Sequence, residues 1–174
     1  MEKLKYKFLN SEFLKGRLIK FCLFLACYEM MKENLEDEIK KFFCHEFDNE
    51  NNYIENEEYK RQIYTKYNDG KEIKNKFDGT LQWYLNSKAM NNDELIEIKK
   101  LRKFRNSIAH YTLEMIMDEK EYFLEEKIQM CKNHVEKNQK WWYQEIYSNS
   151  NETDISYKSG VVLAMTMLQN ISYE

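Results

Sequence analysis

The chain has 174 residues, a mass of 21.4 kDa, a formal charge of −3, four Cys, four Gly and no Pro. Average usage would supply about 5% Pro, and its absence removes both the usual breakers of long helices and the composition of multi-domain linkers, so a single helical domain over 1–174 is expected. With 43% hydrophobic residues the chain can fill a core, and 33% charged residues give it a solvated surface, which excludes a fully disordered polymer.

The longest apolar stretch, Leu18 to Met31, is broken by Lys20 and Glu29 and falls short of the ~18 uncharged residues a membrane span requires. The first residues carry charge without an apolar signal core, so a cytoplasmic protein with reduced thiols is expected, with no membrane partner. Net acidity argues against coating nucleic acid by bulk charge, so any such role must come from a local basic patch.

From Ser11 to about Phe43, Phe13, Leu14, Leu18, Cys22, Leu25, Leu35, Ile39 and Phe42 recur at three- and four-residue steps, which predicts one long helix. The Asn- and Glu-rich stretch Glu46 to Glu58 predicts a loop. Turn signals at Asn68-Asp69-Gly70 and Asp78-Gly79-Thr80 predict two or three short helical pieces across 55–88. Asn91 with Glu94 makes a capping box ahead of Leu95, Ile98, Leu101 and Ile108, the start of a third main helix. Asp118 and Glu121 repeat that spacing ahead of a fourth helix carrying Tyr122, Leu124, Ile128, Cys131, Val135 and Trp142 as far as Ile146. After a polar loop from Ser148 to Asp154, Val161 to Ile171 reads as a terminal helix, apolar nearly all round and packed inside or against a partner. Period-2 alternation is nearly absent, so the expected fold is all-α, an antiparallel up-and-down bundle of four to five helices.

Lys outnumbers Arg by 23 to 4, so each Arg asks for a reason, and Arg102 and Arg105 lie three residues apart. They belong to Lys99-Lys100-Leu101-Arg102-Lys103-Phe104-Arg105-Asn106-Ser107-Ile108-Ala109-His110, where five of the first seven residues are basic and the last is one of three His. Metal-free cleavage of an RNA phosphodiester requires removing the 2′-hydroxyl proton, protonating the leaving 5′-oxygen and stabilising charge on the pentavalent phosphorus. An imidazole titrates near neutral pH, and a guanidinium stays charged and grips two phosphate oxygens, so His110 and Arg105 suit those tasks. Lys99, Lys100, Arg102 and Lys103 would contact the RNA backbone. On an ideal helix Arg105 and His110 sit about 140° apart. Either the helix loosens between Asn106 and Ala109, or the site is completed across a symmetric dimer, which is the favoured arrangement.

An Arg followed five residues on by His is common by chance. With Asn directly after the Arg and Ala directly before the His, the chance falls well under ~1%. The segment R-N-S-I-A-H in an all-helical domain of this size resembles the HEPN superfamily, whose signature is Arg, four to six residues, then His, often with a polar residue after the Arg. The resemblance covers the motif and the helix order. It implies a metal-independent, cofactor-free endoribonuclease that works as a homodimer with both motifs facing one cleft, in toxin–antitoxin, phage-defence or RNA-processing systems. Arg105 and His110 would then be catalytic, Asn106 would help set up the site by hydrogen bonding, and a cognate antitoxin or regulatory protein is a further partner. In one branch, toxins paired with a nucleotidyltransferase antitoxin, a Tyr stands two residues after the His. Here Tyr111 directly follows His110 and Thr112 holds the modified position, a departure that touches regulation rather than cleavage. Because some HEPN domains have lost catalysis, a dimerisation or partner- and nucleotide-binding module is the alternative.

Other groups read as structural. Cys131-x-x-His134 with Cys44-His45 could form a zinc set, but Ile128, Cys131 and Val135 share an apolar stripe and Cys44 and His45 diverge by about 100° on a helix. Cys22 and Cys27 read as core. Trp141, Trp142, Tyr143, Trp83 and Tyr84 could stack on bases, yet core or dimer packing explains them better. Glu29, Glu33, Glu36, Asp37 and Glu38 read as a solvated helix face beside Lys32 and Lys40, without the paired geometry of a two-metal site. An acidic side chain that orients His110 is left unidentified.

Overall fold

The computed structural model describes residues 11–64, 75–118, 120–147 and 160–171. Among these the chain is all-helical: α1 (Ser11–Phe43), α2 (Glu57–Tyr64), α3 (Lys76–Asn86), α4 (Asn92–Met117), α5 (Leu124–Trp142), a π-helical turn (Tyr143–Tyr147) and α6 (Gly160–Ile171). The only extended pairing among the described residues is an isolated bridge, Phe47 to Tyr53, which closes the loop after α1. No helix of the described residues is long and apolar enough to cross a membrane.

The long helix α1 is the axis of the core. Phe21, Phe24, Cys27, Tyr28, Met31, Leu35 and Ile39 bury one face of it against α4 and α5. The capping box forms as the sequence predicts: Asn91 Oδ1 accepts from the Glu94 amide at 3.0 Å, and Glu94 Oε2 accepts from the Asn91 amide at 2.9 Å. Between α4 and α5, His134 meets Glu97 and Lys137 meets Glu94.

At the other end of α1, Trp83 stacks on Trp142 with 8° between their planes, beside Phe42, Phe43, Tyr84 and Trp141. The buried Tyr84 hydroxyl donates to the Leu35 carbonyl (3.0 Å) and accepts from Trp142 Nε1 (3.0 Å) and Asn138 Nδ2 (3.3 Å). Tyr84 and Trp142 therefore belong to the core, Trp83 and Trp141 pack against them half-buried, and Phe42 and Tyr143 are exposed.

Several expectations change. Cys22, read as core, is exposed, while Cys27 is buried. Asp78-Gly79-Thr80 lies within the first turn and a half of α3, which Asn75 caps, and is not a break. Gly79 is there for closeness, because a Cβ would lie 1.9 Å from the Ile63 carbonyl oxygen of α2. Asp118 does not begin the fourth helix. It ends α4, its carboxylate accepting from the Tyr122 hydroxyl and the Lys120 amide, and α5 starts instead at Leu124 after Phe123 in the left-handed region (φ 48°). Helix α6 buries Val162 and Met165 but leaves Leu163, Met167 and Ile171 exposed, so of the two placements expected for it, inside or against a partner, the internal one does not hold. The turn signal at 68–70 and the loop at 148–154 lie outside the described residues.

Candidate functional site

The basic segment lies on α4, which is regular from Asn92 through His110 and departs from helical geometry at one residue, Tyr111 (φ −128°, ψ 27°). Beside it, the Thr112 hydroxyl donates to the Ile108 carbonyl one turn back. The loosening considered for Asn106–Ala109 is thus absent, and the irregularity falls just after His110.

Helical regularity fixes what faces where. Steps of four, three and four residues place Lys99, Lys103, Asn106 and His110 within about 60° of one another, on a stripe about 16 Å long. All four are exposed. Lys100 lies off to one side and is also exposed. Ile98, Leu101 and Ile108 occupy the buried face.

The two arginines lie on the other flank and each has a carboxylate. Arg102 makes a two-pronged contact with Asp78 of α3, at 2.5 and 3.3 Å, which ties α3 to α4 and raises the guanidinium pKa through that hydrogen bond. Its role as an RNA contact therefore competes with a structural one. Arg105 reaches α1, where its Nε and Nη2 each lie 2.8 Å from Glu29 Oε1, while Nη1 stands 3.5 Å from Asn106 Oδ1. Glu29 in turn lies 3.8 Å from Lys32. The Arg105 side chain keeps 37% of its surface exposed, so its fork is oriented yet reachable.

Glu29 is the residue that sequence reasoning assigned to a plain solvated face. It stands 76 positions from Arg105, and no local signal links them. It orients Arg105 and not His110, whose nearest ring neighbour is Tyr111 at 6.3 Å. Within one chain, Arg105 points toward α1 while His110 faces outward, so the two are not brought into a common cleft.

The remaining titratable groups serve the interior. Burial pushes the Cys131 thiol pKa up, and that of Cys27 up to about 11, which leaves both protonated and unreactive. His134 Nε2 sits 2.7 Å from Glu97 Oε2, and burial lowers its pKa against the pull of that carboxylate. Cys44 is fully buried and unpaired with another Cys. Among the described residues no three His, Cys, Asp or Glu side chains converge as metal ligands.

Comparison with family models, with curated proteins and with solved structures gives no significant match, so the geometry stands on its own.

Proposed function

We propose that this protein is a HEPN-like, metal-independent endoribonuclease that acts as a homodimer, cleaving RNA by attack of the 2′-hydroxyl to leave a 2′,3′-cyclic phosphate and a 5′-hydroxyl. The observation that carries the reading is the exposed stripe of Lys99, Lys103, Asn106 and His110 beside an oriented Arg105. Cations that grip a phosphate backbone, an imidazole able to move a proton and a guanidinium fork are the parts such a cleavage needs.

In this reading His110 does the acid–base work and Arg105 stabilises the phosphorane. Glu29 holds the Arg105 fork through one oxygen, and Asn106 steadies its far nitrogen. Two copies meeting along α4 would supply the Arg105 and His110 that a single regular helix holds apart. An antiparallel order of the long helices suits that docking, and side-chain pairs favour it: Arg17 meets Asp118 while Glu29 meets Arg105, and Glu94 meets Lys137 while Phe104 meets Lys127. The biological setting we infer is a cytoplasmic toxin or phage-defence effector restrained by a cognate protein.

The test is incubation of wild-type, His110→Ala and Arg105→Ala proteins with mixed cellular RNA in EDTA, followed by end-group analysis. Cleavage by the wild type alone, with cyclic-phosphate ends, is expected, and each substitution should cost about 10²–10⁴-fold. Unchanged cleavage by both folded variants would refute the assignment. Intact RNA together with tight binding of a protein or nucleotide would favour the non-catalytic module.

A further inference from the structure

Next to His110, the kinked residue Tyr111 lines a cavity of about 530 Å³ between the last third of α4, residues 118 and 120–123, and the first turn of α5. Its walls combine ring faces with free carboxylates. Tyr111 and Phe123 are each more than half exposed, at 56% and 52%. Phe104 lies deeper, held edge-on by Phe24 at 5.1 Å and covered by Lys127 Nζ at 4.8 Å from its ring centre. Three carboxylates line the space. Asp118 is committed to the Tyr122 hydroxyl, the Lys120 amide and Arg17. Glu114 and Glu121 are exposed, and among the described residues their carboxylates form no ion pair. Lys120 and Lys127 complete the rim.

We propose that this cavity is a nucleobase subsite selective for guanine, an inference that rests on the ribonuclease reading and assigns its substrate preference. Unpaired bases are taken up by stacking on aromatic rings, which is indifferent to base identity, and are distinguished by hydrogen bonds on their edges. A carboxylate offers acceptors only. Guanine alone among the four bases presents two adjacent donors, N1–H and N2–H, that match the two oxygens of one carboxylate. Adenine and cytosine set a ring acceptor beside their amino group, and uracil flanks its single N–H with two carbonyls, so each brings a lone pair against the carboxylate. Tyr111 and Phe123 supply the stacking faces, Glu114 and Glu121 the acceptors, and exposed Lys120 a place for a flanking phosphate, since the Lys127 ammonium is held by the Tyr122 carbonyl. Because Tyr111 adjoins His110, the base bound here belongs to a nucleotide next to the scissile bond.

The experiment is calorimetric titration of the full chain with the 5′-monophosphates of guanosine, adenosine, cytidine and uridine, which requires no cleavage. Guanosine monophosphate should bind about tenfold or more tighter than the other three, the discrimination expected of one bidentate pair. The double variant Glu114→Gln, Glu121→Gln should bring all four within about threefold of one another, and Tyr111→Ala should weaken all four alike. Helical circular dichroism equal to that of the wild type checks that the variants are folded. Equal affinities in the wild type, a guanine preference that survives the double variant, or loss of nucleotide binding as a second copy covers the cavity at high protein concentration would each overturn the subsite. Guanine-selective binding without RNA cleavage would uphold the subsite and overturn the nuclease reading, and cleavage without base preference would do the reverse.

Discussion

Around Trp142, side chains from α1, α3 and α5 close over one another until that indole and a tyrosine hydroxyl with three partners are sealed from water, with half-buried Trp83 stacked on the indole. Around His110 the same helical material leaves an imidazole, two lysines, an amide and two aromatic rings in the open, and the helix itself bends. The first region gives its buried tyrosine hydroxyl three hydrogen-bond partners and gains what packing can give. The second leaves that stabilisation unclaimed, which is what a surface reserved for a second copy and for RNA would look like.

The contrast can be broken from either side. Trp142→Ala should cost about 3–5 kcal/mol of stability, because it removes the stacked indole and orphans the Tyr84 hydroxyl from one donor. His110→Ala, at an exposed position, should stay within about 0.5 kcal/mol of wild type. Urea denaturation of the two variants measures both, and similar losses would erase the distinction. Gly79→Ala sharpens the packing side: a Cβ driven into the Ile63 carbonyl should destabilise by about 1–3 kcal/mol, read as a lower melting temperature.

His134 gives a smaller, pH-dependent handle on the packed side. Its pKa is depressed by burial in the folded chain, so below the ordinary imidazole value near 6.5 the unfolded chain binds a proton that the folded chain refuses. The stability from keeping it neutral is present above about pH 6.5 and is lost as the pH falls toward the folded pKa. Denaturation at pH 7.5 and 5.5 should show that loss in the wild type and a flatter response in His134→Gln. The smallest effect belongs to the open side: replacing Lys99 and Lys103 together by Gln should leave stability unchanged and lower the salt slope of single-stranded RNA binding by about 1.4, two released counterions at about 0.7 each.

What the sequence made legible was local. The C-terminal end of α1 near Phe43 and the Asn91–Glu94 box depend on residues within a turn or two of each other, and both are where the periodicity and the capping pattern put them. Gly79 misleads because its reason is Ile63 on another helix, and a turn former seen alone looks like a turn. Asp118 and Glu121 match the capping pattern, but the Tyr122 hydroxyl claims the aspartate and a left-handed Phe123 starts the helix. At the candidate site, Arg105, Asn106, His110 and the lysines are visible as a run, and helical arithmetic already separates Arg105 from His110. Glu29 is invisible, since only the packing of α1 on α4 brings it to Arg105. The kink is equally hidden, because no Gly or Pro stands near Tyr111 to mark it.

The central claim is that Arg105 and His110, held apart on one helix, become a site when two copies meet. It is tested by mixing two inactive variants, Arg105→Ala and His110→Ala, allowing subunits to exchange, and measuring RNA cleavage in EDTA. A composite site takes its Arg105 from one protomer and its His110 from the other, so the mixture should recover about a quarter of wild-type activity, from one good site in each mixed dimer. A mixture as inactive as its components, beside an active wild type, would contradict the shared cleft.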